Sequence, residues 1–253
     1  MSFEAIRLQS WYATAQGQTV TRLVGKVLRR WLSLHKPETC LGYGFSQPYL
    51  SQIQAMGSQV WGASPAEMGV ASWPRGEDNR IALVRPEALP FADESFDQVI
   101  MTHLLEGTQS PRVALRETWR ILKPGCRLFI MVPNRGGVWA RRDGTPFGWG
   151  RPFSPRQLKE QLEDSFFIPR QSCFALFMPP FSSNWLLKAA GAWEKAGTRW
   201  CAPLGGVIVC EAEKVVYAST PLARDFVGVR SREGMVLPVA KNQGSRGLDR
   251  RRL

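Results

Sequence analysis

Two short, continuous apolar runs stand out in the chain: Phe96, Val99, Ile100 and Met101, and then residues 128–132. Between them Val113, Leu115, Thr118, Trp119 and Leu122 recur at helical spacing. Apolar runs flanking an amphipathic helix predict a βαβ unit in a parallel sheet covered on both faces. Ser110 and Pro111 suit the N-cap and first turn of that helix, and Lys123-Pro124-Gly125 ends it. The lysine complements the negative helix end, and the proline cannot continue the hydrogen-bond ladder.

The pattern continues on both sides. Residues 3–34 read as the apolar faces of two helices broken near Gly17, with Trp11 or Tyr12 as packing residues or as the border of a pocket. Residues 154–162 start a helix, 166–178 supply a strand and 185–196 form one more amphipathic helix. Residues 206–217 read as the last strand, with Lys214 as an edge charge. Residues 133–153 have no period and are rich in Arg, Gly and aromatics, a long loop of the kind that is often functional.

The stretch LPFADESFDQVIMTHLLEGTQSPRVALRETWRILKPGCRLFIMVPN resembles the post-I to motif III region of class I S-adenosylmethionine-dependent methyltransferases of the type 11 subgroup. The resemblance covers residues 10–218 and implies an α/β fold: a Rossmann-like sheet of seven strands, the last antiparallel, with helices on both faces. It also implies S-adenosylmethionine as the cofactor. Fold and activity separate easily, so the site residues decide the function.

In that family a strand ending in an acid leads into a Gly-x-Gly-x-Gly loop and a helix. The matching segment, ETCLGYGFSQPYL, keeps Gly42 and Gly44, puts Ser46 at the third glycine and Cys40 at the acid. Ser46 can N-cap the helix, with Pro48 in its first turn. The position of the ribose-binding acid is Ala63, with Glu67 one helical turn later as a substitute or as an exposed helix residue. Losing a bidentate bond to a carboxylate there weakens binding by about two to four powers of ten. Before Leu89 the adenine-binding acid is replaced by Arg85, and Glu87 reaches the amine only if the loop shifts. The expected cofactor set is therefore Gly42, Gly44, Ser46, Ala63, Glu87, Leu89 and His103.

His103 ends the fourth predicted strand, where open α/β sheets bind ligands, and is the candidate general base. The alternative is a histidine that caps the strand-to-loop turn by hydrogen bonding. In the 133–153 loop, Arg135, Trp139, Arg141, Arg142, Phe147, Trp149 and Arg151 form the expected acceptor side. Arginine beside tryptophan can clamp a flat or anionic ligand, or the aromatics can pack on the domain and leave the arginines in solvent.

Composition refines this picture only in part. Among 253 residues, 44% hydrophobic and 21% charged are values of an ordinary globular chain long enough for one full α/β core. Five cysteines without a CxxC pair read as reduced core thiols of a cytoplasmic protein, and two histidines make a metal site unexpected. No apolar run is long enough for a membrane span. The net charge of +12 is concentrated partly in residues 219–253, a basic, Gly/Arg/Ser-rich tail expected to be disordered and able to touch nucleic acid weakly. Residues 1–35 form an N-terminal helical segment and 36–218 the methyltransferase-like domain. Three functions follow: a methyltransferase with an unknown small-molecule or macromolecular acceptor, an inactive relative acting as a binding or regulatory partner, and a nucleic-acid-associated protein.

Overall fold

The computed structural model describes residues 4–32, 37–74, 76–181 and 183–216. His35 and the basic tail lie outside the described residues. The chain forms a seven-stranded sheet in the order β3-β2-β1-β4-β5-β7-β6. The first five strands, β1 (Thr39–Gly44), β2 (Gln59–Pro65), β3 (Ile81–Val84), β4 (Phe96–Thr102) and β5 (Leu122–Pro133), pair in parallel. β7 (Val207–Lys214) runs antiparallel between β5 and β6 (Phe167–Ala175).

Alternation along the central strands separates two cores. Ile100 and Phe129 join the side covered by α1 (Ala5–Tyr12), α2 (Ala15–Leu32) and α3 (Gln47–Gln54). Val99, Met101, Leu128 and Ile130 join the side covered by α4 (Pro111–Ile121) and α5 (Pro155–Glu163). Side chains of successive strand residues point to opposite faces, so a sheet buried on both sides must be apolar throughout. Ser154 and Gln157 close a reciprocal capping box at the start of α5. Ser110 stands at the N-cap of α4 without a side-chain cap bond.

Several expectations need correction. The N-terminal helices part at residues 13–14, and Gly17 lies inside α2, where a β-carbon would come 2.3 Å from the Trp11 carbonyl oxygen. Gly17 therefore permits the close approach of the end of α1 and does not break a helix. The segment after β6 forms two helices, α6 (Asn184–Lys188) and α7 (Ala190–Trp200). Lys214 is fully buried, because β7 is an inner strand. Its Nζ donates to the Leu122 carbonyl at 2.7 Å and stands 4.1 Å from the Trp119 ring centre. Glu67 lies exposed in a turn, since the crossover from β2 to β3 contains no helix. Of the cysteines, Cys40 and Cys210 are buried free thiols, but Cys201 is exposed.

Candidate functional site

The turn after β1 is built by close packing. Gly44 has φ +80°, and a β-carbon there would lie 2.4 Å from the Thr102 carbonyl oxygen. At Gly42 a β-carbon would meet Leu50 of α3 at 2.7 Å. Both glycines thus let β1 approach its neighbours in the protein. Ser46 does not cap α3: its hydroxyl lies 3.0 Å from the Tyr43 carbonyl and 2.9 Å from that of Ile100, tying the turn to β4 instead.

The other residues expected at the cofactor take up different places. Ala63 is wholly buried in the core with Leu41 and Tyr43. Ser64, one residue on, donates to the Gly69 carbonyl at 2.6 Å. Arg85 and Glu87 are exposed in the turn after β3. Leu89 is buried; its N–H donates to Glu117 at 2.9 Å and its carbonyl accepts from Arg120 at 3.0 Å, while Arg120 also holds the Phe91 carbonyl. The LPF segment is therefore braced by a charged pair of α4. At the former acid position Cys40 is buried, and burial followed by the nearby Asp97 charge pushes its thiol well above the ordinary range.

His103 is the point where several elements converge. It is buried, with φ 54°, a left-handed conformation uncommon for a non-glycine residue. Its Nε2 lies 2.7 Å from the hydroxyl of Tyr12, the last residue of α1, and its Nδ1 lies 3.0 Å from Glu106 Oε1. With the carboxylate accepting from Nδ1–H, the ring offers Nε2 as an acceptor to the phenol. Burial above all, then Tyr49 and Glu106, raises the Tyr12 phenol well above its usual value, so it keeps its proton. Glu106 Oε2 and Thr102 Oγ1 are buried at the same sheet end without a hydrogen-bond partner among the described residues. Glu106 stands at i+3 from His103, a spacing the sequence displays. Tyr12 is 91 positions away, and only folding brings it there.

Tyr12 also faces outward into a cavity of about 630 Å³. The wall combines Phe45 of the β1–α3 turn, Gln47 and Ser51 of α3, Gln9 of α1, and Trp73 and Glu77 of the β2–β3 crossover. None of the seven residues expected to hold the cofactor is in this wall, although Phe45 and Gln47 interleave with them.

The loop from Arg135 to Phe153 settles against the same region. Trp139, Phe147 and Trp149 are buried, and Arg135, Arg141, Arg142 and Arg151 are exposed, so the loop does not set its indoles and arginines together as a clamp. Trp139 Nε1 donates to the Met178 carbonyl at 2.7 Å. Phe147 packs 5.2 Å from the His103 ring and 5.9 Å from Trp11, and the Arg151 N–H donates to the Glu106 carbonyl at 2.8 Å. Two 3-10 turns, Trp139–Arg141 and Pro146–Gly148, order it.

Residues 39–130 match the model of a family described as "Methyltransferase domain". The demethylmenaquinone methyltransferase of Roseiflexus sp. strain RS-1 is 30% identical over 125 residues, 48% of this chain and 52% of that protein. The matched stretch thus spans about half the length of that relative, and less of the Clavibacter sepedonicus and Porphyromonas gingivalis demethylmenaquinone methyltransferases. Among solved structures, a SAM-dependent methyltransferase from Aquifex aeolicus superposes with a TM-score of 0.57 at 16% identity, covering 85% of this chain and all of that one. The cyclase SpnF gives 0.55 at 23% identity over 79% of this chain and 83% of its own. The sheet order and the antiparallel seventh strand agree with that likeness: residues 39–130 are similar to a methyltransferase domain, and the chain has the Rossmann-like, seven-stranded fold of these solved structures.

Proposed function

We propose that the chain is an S-adenosylmethionine-dependent methyltransferase-like protein whose ligands enter the cavity beside Tyr12. The observation that carries this reading is the linked set Tyr12, His103 and Glu106, which joins the cavity wall to a buried imidazole and carboxylate. The cavity has the size of small-molecule and cofactor sites. Phe45 and Trp73 offer flat apolar walls, Gln9 and Gln47 offer amides, and Glu77 supplies a carboxylate. These are the residues that would hold the cofactor, which supplies an electrophilic methyl group when bound. Thr102 Oγ1 and Glu106 Oε2 are buried polar atoms that a ligand or water would satisfy.

The chain's own part is to orient the acceptor and to take its proton. As an acceptor hydroxyl or amine gives its proton to the Tyr12 oxygen, the phenol proton passes to His103 Nε2, and Glu106 steadies the imidazolium through Nδ1–H. The acceptor is a small molecule or macromolecule; a demethylmenaquinone, named for the Roseiflexus relative, is the first to test, in its reduced form, which carries the hydroxyls this step needs. The protein is read as cytoplasmic; among the described residues no helix is long and apolar enough to cross a membrane.

Equilibrium binding of S-adenosylmethionine and S-adenosylhomocysteine to the purified chain is the test. Micromolar binding, lost in Ser51→Trp, which fills the cavity, is the expected result; no binding at millimolar ligand would sink the reading. In Tyr12→Phe, binding stays within about twofold while transfer to an acceptor falls by roughly two powers of ten.

A second reading is a methyltransferase-fold partner without catalysis. It is supported by Cys40, Ala63 and Arg85 in place of acids and by Gly44 packed on Thr102 with no open space between. Failure to bind either ligand favours it. Nucleic-acid association through residues 219–253 stays a third proposal, tested by the salt dependence of oligonucleotide binding.

A further inference from the structure

The helices that cover one face of the sheet carry an unusual outer surface. On and beside α6 and α7, Phe181, Trp185, Trp193 and Trp200 are exposed, Trp185 by 68% and Trp200 by 78%. Trp193 and Trp200 are seven residues apart, so both fall on one side of α7. Leu204, just beyond, is exposed as well. Four exposed aromatics between Phe181 and Trp200 are more than the single scattered exposures of an ordinary surface, and such a cluster points to an interaction site.

Charge identifies the partner. Lys188 and Arg199 are exposed along the same helices, and Lys195 is exposed on another side of α7. Glu194 is the sole acid in residues 179–206. It is turned inward, its carboxylate accepting from the N–H groups of Leu176 and Phe177 at 3.2 and 2.6 Å. α6 and α7 pack on α2, which contains no acid and exposes Arg22, Lys26 and Arg29. Between α2 and α6 lies a cavity of about 710 Å³ flanked by Arg22 and Lys188, with no carboxylate in its wall. The surface is thus aromatic and aliphatic, rimmed by cations, with its acid withdrawn.

We propose that this α2–α6–α7 surface docks on a bilayer rich in anionic phospholipid. Indoles settle at the level of the headgroups, aliphatic side chains reach the acyl boundary, and lysine and arginine pair with phosphate. Aliphatic exposure at Leu204 beside the indoles suits the acyl boundary of a lipid interface, whereas single-stranded nucleic acid binds chiefly by stacking on flat rings. Docking also brings the Arg135 to Phe153 loop close to the lipid, because Asn134 at its base donates to the carbonyls of Pro203 and Gly205 at 2.8 and 2.7 Å.

The test is flotation of the full chain with vesicles of phosphatidylcholine alone or mixed with phosphatidylglycerol. The chain is expected to float with the mixed vesicles, to be released by salt, and to stay behind with the neutral ones. The pairs Trp185→Ala with Trp200→Ala, and Lys188→Glu with Arg199→Glu, each lower partitioning by about tenfold or more with unchanged thermal melts. Absence of flotation overturns the proposal. So does flotation insensitive to both pairs, which would assign binding to another part of the chain. A loss of affinity for a single-stranded oligonucleotide in these variants, without a loss for vesicles, overturns it in favour of nucleic acid.

Discussion

Asp97 holds the start of β1 to β4 with a single carboxylate. It accepts from the N–H groups of Glu38 and Thr39 at 3.1 and 2.9 Å, from the Thr39 hydroxyl at 2.9 Å and from Lys123 Nζ at 2.6 Å. Partial burial pushes its carboxyl up, but the bonds from Lys123 and Thr39 outweigh it and hold the group below the usual carboxylate range. A folded value below the unfolded one adds stability above the unfolded value, and that stability is lost as pH falls through the folded value. Asp97→Asn is therefore expected to cost about 1–3 kcal/mol at neutral pH. Urea unfolding at a series of pH values should show the gap to wild type narrowing below about pH 4. The thiols divide just as sharply. Burial, with Glu211 nearby, pushes Cys210 up to about 12, and Cys201 is exposed, so a thiol reagent on the native protein should modify Cys201 first and spare Cys40 and Cys210.

At the scale of elements, the turns and inner strands carry the constraints. Gly44→Ala forces a β-carbon against the Thr102 carbonyl at a positive φ, and should destabilise by at least about 1–3 kcal/mol in chemical denaturation. β7 runs inside the sheet, so Lys214 must satisfy its ammonium there, on the Leu122 carbonyl, on Glu94 at 3.5 Å and over Trp119. Lys214→Ala strands that carbonyl and opens a void, whereas Lys214→Met keeps the aliphatic stem. The alanine variant should be the less stable by about 1–3 kcal/mol, read from the same unfolding curves. The Lys214 edge charge is a fair expectation for a last strand, but chain order does not say where a strand enters the sheet.

For the whole molecule, the N-terminal helices are part of the site. α1 contributes buried Leu8 to the core and Tyr12 to the hydrogen bond with His103, so the proposed relay depends on the docking of this helix. Leu8→Ala, at a core residue that does not itself line the cavity, should cost about 2–5 kcal/mol and lower the melting temperature by several degrees. If α1 positions Tyr12, the same variant also weakens ligand binding. Unchanged binding in a destabilised protein would separate the helix from the site.

The sheet was largely legible in the chain. Strands β4 and β5 and the helix between them announce themselves because burial on both faces demands continuous apolar runs, and periodicity is a local property. The family resemblance supplied the remaining topology. The division of residues 185–196 into two helices and the place of Gly17 were not legible, because each depends on a neighbour that is distant in sequence. The site was legible only in outline. His103 could be singled out by its strand end, and Glu106 is three residues away, but Tyr12 comes from another helix and the cavity wall from three separated segments. The inward turn of Trp139, Phe147 and Trp149 was one of two open alternatives for the loop. Packing chose between them, since an indole buries its rings wherever its N–H can also find a carbonyl. What the chain determines alone is which residues must be buried; which of them meet is decided by the fold, because contacts between distant segments leave no period in the sequence.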